Sequence, residues 1–316
     1  GGSRLLRGNH PEHEALEAEA AQFFGAETAL YFGSGFAANA ALLATLPQRG
    51  DCIFFDELVH ASAHEGMALS RADAKPFPHN DASALDAALR QWRADGARGT
   101  PWLAGESLYS MDGDRAPLDA ILALADANDG VLVIDEAHAT GVFGVGGRGL
   151  GAHLEGRPNV ISLHTCGKAL GVSGALVTAP RTMRDFLINR ARAFIYATAP
   201  SPLMAAVVRT ALQLVHAPER REQLHRRIAL LGEALRGTTH RVSGTQIQPI
   251  IVGGDGRAVA LADALQARGF DIRAIRPPTV PEGTARLRLT LTLNTSDDET
   301  RALIATLIAA EAELAA

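Results

Sequence analysis

The sequence predicts an α/β protein with a mostly parallel sheet flanked by helices and a smaller α+β domain at its carboxyl end. Short apolar runs alternate with amphipathic helical patterns along most of the 316 residues, which is typical of layered α/β architectures. The run at 131–134 is apolar at every position, which favours a strand covered on both faces, as in a parallel sheet. Beyond about residue 215 the pattern changes to charged helices between isolated strands.

The amino-terminal elements follow from periodicity and from residues that end helices. Apolar residues recur on one face of Pro11–Phe24, which predicts a helix that Gly25 ends. A turn at 33–35 leads from the first strand into a helix at 37–46. The expected strands are 29–32, 52–55, 101–104, 131–134, 160–163 and 175–178, with helical patterns between most of them.

The carboxyl-terminal part predicts a small domain that begins with a charged helix at 219–235. Ser296 and Glu299 form a capping box before the last helix. Between these helices we expect strands at 247–252, 271–275 and 286–293 and a helix at 258–268.

We therefore expect three parts along the chain: an amino-terminal segment at 1–25, a large domain at 26–215 and a small domain at 216–316. The chain begins at Gly1 rather than at a methionine. We expect the first segment to be the trimmed end of a longer natural chain.

Composition limits the class of protein. Hydrophobic residues make up 47% and charged residues 21%, which is typical of a globular protein. The net charge is −5 and no basic run is dense, which argues against nucleic acid as the main partner. Apolar stretches are interrupted before they reach membrane-spanning length. The two cysteines, Cys52 and Cys166, are read as reduced thiols of a cytoplasmic protein.

Asp135 directly follows the apolar run at 131–134, with His138 three residues further on. Ligands of open α/β sheets bind at the carboxyl ends of strands, and a carboxylate there needs a partner. A protonated pyridine nitrogen is one such partner. An Asp at this position is explained equally well if it caps the following turn or pairs with an arginine.

Lys168 stands between Gly167 and Gly171 on the loop after 160–163. A lysine taken singly is more often an exposed loop residue. This chain, however, contains only Lys75 and Lys168, while arginine is frequent. Because lysine is scarce in this chain, its presence in an apolar loop flanked by glycines favours the interpretation of Lys168 as a nucleophile.

Two further segments indicate a ligand more weakly. The segment 33–36 lies at the start of a predicted helix, where free backbone N–H groups can bind an anion. The same residue types are also common in ordinary tight turns. His60 is a stacking or acid–base candidate, although single histidines are more often structural. The glycines at 141–149 do not join a strand directly to a helix, so we reject a dinucleotide fingerprint and favour a flexible loop.

The order and spacing of these segments resemble the α-oxoamine synthases, a family of fold-type-I pyridoxal-phosphate enzymes. The resemblance extends over nearly the whole chain. The matching segments are 33–39, 56–62, 79–81, 110–118, 135–141, 165–171 and 196–202.

The resemblance implies pyridoxal 5'-phosphate as the cofactor. It implies that Lys168 holds the cofactor as a Schiff base and acts as acid and base at the substrate Cα. Asp135 would pair with the pyridine nitrogen, His138 would hydrogen-bond the phenolic oxygen and His60 would stack on the ring.

At the phosphate, the resemblance places Ser34, Gly35, Phe36 and the hydroxyl of Thr165. Thr198 would reach the phosphate of a neighbouring subunit, which implies a homodimer with shared active sites. The remaining implied residues are Ser110 and Glu106 near the cofactor and substrate, and Arg288 on the substrate carboxylate, with Arg286 as a second candidate.

Two segments, 167–175 and 275–291, are similar to members of the family that condense L-alanine with pimeloyl-CoA or a pimeloyl carrier protein. The alternatives are a glycine- or serine-using member, such as 2-amino-3-ketobutyrate CoA ligase, a non-catalytic subunit, or a nicotinamide-dependent oxidoreductase. The presence of Lys168, Asp135 and His138 argues against a non-catalytic subunit. Glu136 and Ala139 depart from the usual Asp-Asp-Ala-His-Gly pattern but leave Asp135 and His138 in place.

Overall fold

The computed structural model describes residues 1–314 and divides into two compact units. One unit consists of Gly1–Leu108 and Arg115–Ala217, and the other of Tyr109–Asp114 and the described residues from Pro218 onward. Within residues 1–314, no helix combines the length and the apolar character that crossing a membrane requires. The sequence-based boundaries at residues 25 and 215 stay predictions.

The first unit is built on a seven-stranded sheet. The strands are β1 (Thr28–Phe32), β2 (Cys52–Asp56), β3 (Asp73–Phe77), β4 (Pro101–Glu106), β5 (Val131–Asp135), β6 (Val160–Thr165) and β7 (Ala175–Ala179). They lie in the order β1-β7-β6-β5-β4-β2-β3; the pairs that involve β7 are antiparallel and the others are parallel. All six strands expected in this region are present, which confirms a mostly parallel sheet.

Helices cover both faces of this sheet. Along β5, Val131 and Val133 pack in one hydrophobic cluster while Leu132 and Ile134 pack in another. Successive side chains of a strand point to opposite faces, so the uniformly apolar run reflects burial on both sides. The helices are α1 (Pro11–Phe24), α2 (Gly35–Thr45), α3 (Ala61–Ala68), α4 (Ala82–Ala94), α5 (Leu118–Ala127), α6 (Arg181–Arg190), α7 (Arg192–Ile195) and α8 (Pro202–His216).

Strand β3 was not predicted. Its sequence, Asp-Ala-Lys-Pro-Phe, lacks an apolar alternation, and only Phe77 is buried. The strand lies at the edge of the sheet, where lysine and proline are tolerated because one side has no strand to pair with. Pairing with β2 defines this strand, and that contact is invisible in the local sequence.

The second unit contains a three-stranded antiparallel sheet in the order β8-β10-β9. Apolar side chains from β10 and the helices form its core, among them Leu287, Leu289 and Ile304. The elements are α9 (Glu219–Ala234), β8 (Ile247–Gly253), α10 (Asp255–Gln266), β9 (Ala274–Ile275), β10 (Ala285–Thr290) and α11 (Asp297–Glu313).

Two strands of this unit are shorter than the sequence predicts. The expected strand at 271–275 pairs only at Ala274–Ile275, because the Ile272 N–H donates locally to the Phe270 carbonyl (2.8 Å). The expected strand at 286–293 ends at Thr290. Beyond it, the Thr292 hydroxyl accepts a hydrogen bond from the Asn294 N–H (3.2 Å), a local contact that favours a turn.

Candidate active site

A cavity of about 370 Å³ opens at the edge of the large sheet where β1, β4, β5 and β6 end. Strands β1 and β6 run in the same direction because each pairs antiparallel with β7, so their carboxyl ends meet at one edge. The volume falls within the range of small-molecule sites. The lining residues are Gly33, Ser34, Gly35, Phe36, His60, Ser62, Glu106, Asp135, Ala137, His138, Thr165, Gly167, Lys168, Ser173 and Gly174.

Nine of the twelve residues predicted for the site line this cavity. They are Ser34, Gly35, Phe36, His60, Glu106, Asp135, His138, Thr165 and Lys168.

The other three predicted residues lie elsewhere. Ser110 and Arg288 belong to the second unit, where the Arg288 Nε–H donates to the Ser110 carbonyl. Thr198 is exposed and forms an isolated β-bridge with Ser3. The fold of one chain therefore brings nine of the predicted residues to one cavity, while the roles of all twelve stay predictions.

One end of the cavity is the amino terminus of α2. The Ser34 hydroxyl caps this helix by accepting a hydrogen bond from the Ala37 N–H (3.2 Å). A Cβ at Gly35 would overlap the Cγ2 of Thr165, so glycine permits the close approach of α2 to β6. Backbone N–H groups and the helix dipole at such a terminus favour an anion.

Asp135 also lines the cavity and lies at the end of β5. Its Oδ1 accepts a hydrogen bond from the Ala137 N–H (2.9 Å). Burial raises the pKa of the Asp135 carboxyl, and the Ala137 N–H and the charges of Lys168, His60 and His164 oppose this rise. A cationic group in the cavity would stabilise the ionised carboxylate, so this wall suits a ligand with a protonated nitrogen.

Lys168 stands on a loop that folds back on itself. The Gly171 N–H donates to the Lys168 carbonyl (3.0 Å), and the Val172 N–H donates to the Cys166 carbonyl (2.8 Å). Cys166 is fully buried under this loop, whereas the lysine is exposed to the cavity. The loop thus places Lys168 in the lining of the same cavity as the α2 amino terminus and Asp135.

Asn39 and Ser62 are site residues that the sequence analysis did not assign. The Asn39 side-chain amide donates to the Ser62 hydroxyl (3.0 Å) and to Asp135 Oδ2 (3.2 Å). A polar side chain amid the apolar residues of α2, four residues after Gly35, was the signal available for Asn39. The structure alone reveals its two partners.

Glu136, which follows Asp135, is buried and organises the glycine-rich segment. Its carboxylate accepts hydrogen bonds from the Ser107 hydroxyl (2.7 Å), the Leu150 N–H (3.1 Å) and the Gly151 N–H. A Cβ at Gly149 would collide with this carboxylate. Burial raises the pKa of Glu136. The two backbone donors directly follow the glycine segment at 141–149, and the close approach of Gly149 to the carboxylate requires glycine there. The flexibility expected of the segment stays a prediction.

A second buried polar network lies behind the cavity. The His164 ring contacts the Thr140 hydroxyl through Nδ1 (2.8 Å) and Glu155 Oε1 through Nε2 (3.1 Å). Its side chain is fully buried, that of Glu155 is 4% exposed, and the ring stacks on Phe24 at 3.6 Å. The network ties β6 to the turn after β5, which carries His138.

Replacing His164 with Leu should destabilise the protein by about 3 kcal/mol, because it leaves the buried Glu155 carboxylate without its imidazole partner. Urea unfolding of the purified protein measures this change. The matched control is His153→Leu, since His153 pairs with Asp119 at the surface (2.7 Å; 55% and 82% exposed), where a pair contributes at most about 1 kcal/mol. Equal losses in the two variants would contradict the buried network's contribution.

Comparisons with known proteins place this fold and cavity in a family. The model of the family described as aminotransferase class I and II matches residues 1–307. The 8-amino-7-oxononanoate synthase of Chromobacterium violaceum is 45% identical over 293 residues, which cover 92% of this chain and 76% of that protein.

Two solved structures overlay on the chain. The 8-amino-7-oxononanoate synthase of Francisella tularensis has a TM-score of 0.83 at 28% identity, covering 97% of this chain and 88% of that one. A structure described as SPT with PLP internal aldimine has a TM-score of 0.93 at 26% identity, covering 100% and 80%.

The fold is that of a fold-type-I pyridoxal-phosphate enzyme. The residues that line the cavity fit this cofactor: the helix amino terminus suits its phosphate, Lys168 supplies an amine for its aldehyde, and Asp135 suits its cationic ring nitrogen. The cofactor is pyridoxal 5'-phosphate. The chain belongs to the aminotransferase class I and II family, and its relatives include 8-amino-7-oxononanoate synthases.

Proposed function

We propose that the protein condenses L-alanine with pimeloyl-CoA or a pimeloyl carrier protein, with loss of carbon dioxide, to give the 8-amino-7-oxononanoate of biotin biosynthesis. The observation that carries the proposal is one cavity holding Lys168, Asp135 and the α2 amino terminus, in a chain 45% identical to a named synthase of this product. Lys168 would hold pyridoxal phosphate until the substrate amine replaces it, and the cofactor would supply an electron-withdrawing ring for bond breaking at the substrate Cα.

The residues of the first unit divide between holding the ring and moving a proton. Lys168 takes the proton from Cα and later returns it, since its amine is free once the amino acid has taken its place. Asp135 keeps the ring nitrogen protonated. His60 would pack on the ring face, and His138 would donate to the phenolic oxygen.

The phosphate end and the substrate end are held by different groups. Ser34, Gly35, Phe36 and Thr165 surround the phosphate, and Glu106 lines the wall beside Asp135. Parallel β4–β5 pairing of Glu106 with Asp135 supports this placement.

For the substrate carboxylate we propose Arg288, with Ser110 beside it. Arg286 is the poorer candidate because its side chain is 5% exposed and donates to the Asp112 carboxylate. The Arg288 guanidinium donates to the Ser110 main-chain carbonyl and to the Thr290 hydroxyl (2.9 Å). A guanidinium binds a carboxylate through two parallel hydrogen bonds.

We also propose a homodimer, working in the cytoplasm, in which Thr198 reaches the phosphate held by the neighbouring subunit. Exposed apolar side chains adjoin Thr198 in the chain or across the Ser3 bridge, and they support a protein contact there. They are Leu6 (83% exposed), Tyr196 (73%) and Leu203 (66%).

A substrate panel tests the proposed reaction. L-alanine, glycine and L-serine are each paired with pimeloyl-CoA, pimeloyl carrier protein, acetyl-CoA and palmitoyl-CoA, and thiol release is measured. We expect kcat/KM for L-alanine with a pimeloyl thioester to exceed that for glycine by at least about tenfold, the discrimination that one methyl group supplies. Preference for glycine or serine would overturn the assignment and indicate another α-oxoamine synthase.

A further inference from the structure

A chain of hydrogen bonds joins the two groups proposed to hold the cofactor ring. Asn39 Nδ2 lies 3.2 Å from Asp135 Oδ2 and 3.0 Å from the Ser62 hydroxyl. The Ser62 hydroxyl in turn lies 2.8 Å from His60 Nδ1. Asp135, Ser62 and His60 line the cavity, whereas Asn39 is not among its lining residues.

The direction of each hydrogen bond follows from the chemistry of the groups. The Asn39 NH₂ can only donate, so both Ser62 Oγ and Asp135 Oδ2 accept. The Ser62 backbone N–H also points at His60 Nδ1 (3.2 Å), which makes Nδ1 an acceptor. The serine hydroxyl then donates its own hydrogen to Nδ1, and the ring carries its hydrogen on Nε2.

Asn39 is well placed to fix these groups. Its residue is 5% exposed and Ser62 is 2% exposed, so neither side chain has room to turn toward water. Asn39 lies one helical turn after Gly35, on the same face of α2. The helix that presents its amino terminus to the cavity therefore also supplies the amide.

Both oxygens of the Asp135 carboxylate are thereby occupied. The Ala137 N–H bonds to Oδ1 (2.9 Å) and the Asn39 amide bonds to Oδ2. Two donors from different elements prevent rotation of the carboxylate, and its remaining lone pairs are left for a ligand in the cavity. Held in this way, a group needs no rearrangement when the ligand binds.

We propose that Asn39 is a positioning residue that, through Asp135 and through Ser62, sets the orientation of both the carboxylate and the His60 ring against the cofactor. The proposal rests on the proposed function for the roles of Asp135 and His60. It adds a third residue, outside the cavity, that couples the two.

The test compares Asn39→Asp, which keeps the side-chain shape but replaces the donor with an acceptor, with Ser62→Ala, which breaks only the His60 branch. The affinity of the apoprotein for pyridoxal phosphate and the pH at which the visible band of the bound cofactor changes are both measured. The control is Asn189→Asp, an exposed position on α6 where the amide donates to a carbonyl of its own helix.

We expect Asn39→Asp to weaken cofactor affinity about tenfold or more, because a carboxylate then faces Asp135. The visible band should change at a pH about one unit higher, because the added negative charge at position 39 would favour the protonated form of the imine. Ser62→Ala should weaken affinity a few-fold, about as much as one hydrogen bond, with the pH of the band change unaltered. Asn189→Asp should match the wild type in both measurements.

Wild-type affinity and wild-type pH behaviour in Asn39→Asp would overturn the proposal. A drop in the melting temperature of both apoprotein variants with unchanged cofactor affinity would also overturn it, because Asn39 would then serve only the fold. If the wild-type protein itself developed no visible band with pyridoxal phosphate, the proposed function would fail first, and the two failures are thus distinguishable.

Discussion

Lys168→Ala should lower turnover by at least about 10⁴-fold, the upper range for the loss of an acid–base group, since this variant also loses the covalent attachment of the cofactor. The wild-type protein should show a visible band that borohydride bleaches, and the variant should not. Mass spectrometry of the reduced protein should locate the phosphopyridoxyl group on the peptide that contains residue 168.

The composition of the chain makes this experiment unusually clear. Lys75 is the second of its two lysines and lies exposed on the edge strand β3. Lys75→Ala is therefore the matched control and should keep both the visible band and full turnover. Attachment of the cofactor to Lys75, or an unchanged spectrum in Lys168→Ala, would contradict the assignment.

Asp135→Asn should lower turnover by about 10²–10³-fold, comparable to the loss of one oriented charge-stabilising group in an active site. An amide cannot keep the ring nitrogen protonated, and an unprotonated ring is a poor acceptor of the electrons released at Cα. Steady-state kinetics with L-alanine and pimeloyl-CoA measure the loss. Asp86→Asn, which removes one member of an exposed ion pair with Arg90, should change turnover little.

The same substitution should separate activity from stability. Burial raises the pKa of Asp135 in the folded protein. The ionised carboxylate therefore opposes folding fully above this pKa, and the opposition is lost as the pH falls from it to the pKa of the unfolded chain. At neutral pH the melting temperature of the Asp135→Asn apoprotein should stay within a few degrees of that of the wild type, because removal of the buried charge offsets the loss of one of the two hydrogen bonds that the carboxylate accepts. Full turnover in the variant, or a large drop in melting temperature, would contradict the role given to Asp135.

Local patterns predicted the strands that are buried and uniformly apolar, and missed those defined by pairing. The run at 131–134 identified β5 because its side chains pack in two hydrophobic clusters. Strand β3 carries an exposed Lys75 and Pro76 and became a strand only through its contact with β2. The short β9 shows the converse: the segment at 271–275 alternates polar and apolar residues as a strand does, but only Ala274 and Ile275 find a partner in β10.

Side chains at strand ends were predictable for a related reason. Parallel strands bring their carboxyl ends to one edge, so Asp135 after β5 and the Lys168 loop after β6 had to lie near each other once both strands were placed. The glycine pattern at 141–149 was ambiguous in sequence. The buried Glu136 carboxylate, which the Leu150 and Gly151 N–H groups bind just beyond that segment, explains the glycine at 149, where a Cβ would collide with it.

The sequence by itself determined the class of fold, the amine, the carboxylate and the helix start that suit pyridoxal phosphate, because each depends on residue type and on position relative to a strand. Only the tertiary structure decided what holds those groups in place. Asn39, Ser62 and His164 act through hydrogen bonds between residues distant in the chain, and the energy of such a bond depends on distance, direction and burial. Packing sets these quantities, and no pattern along a single chain records them.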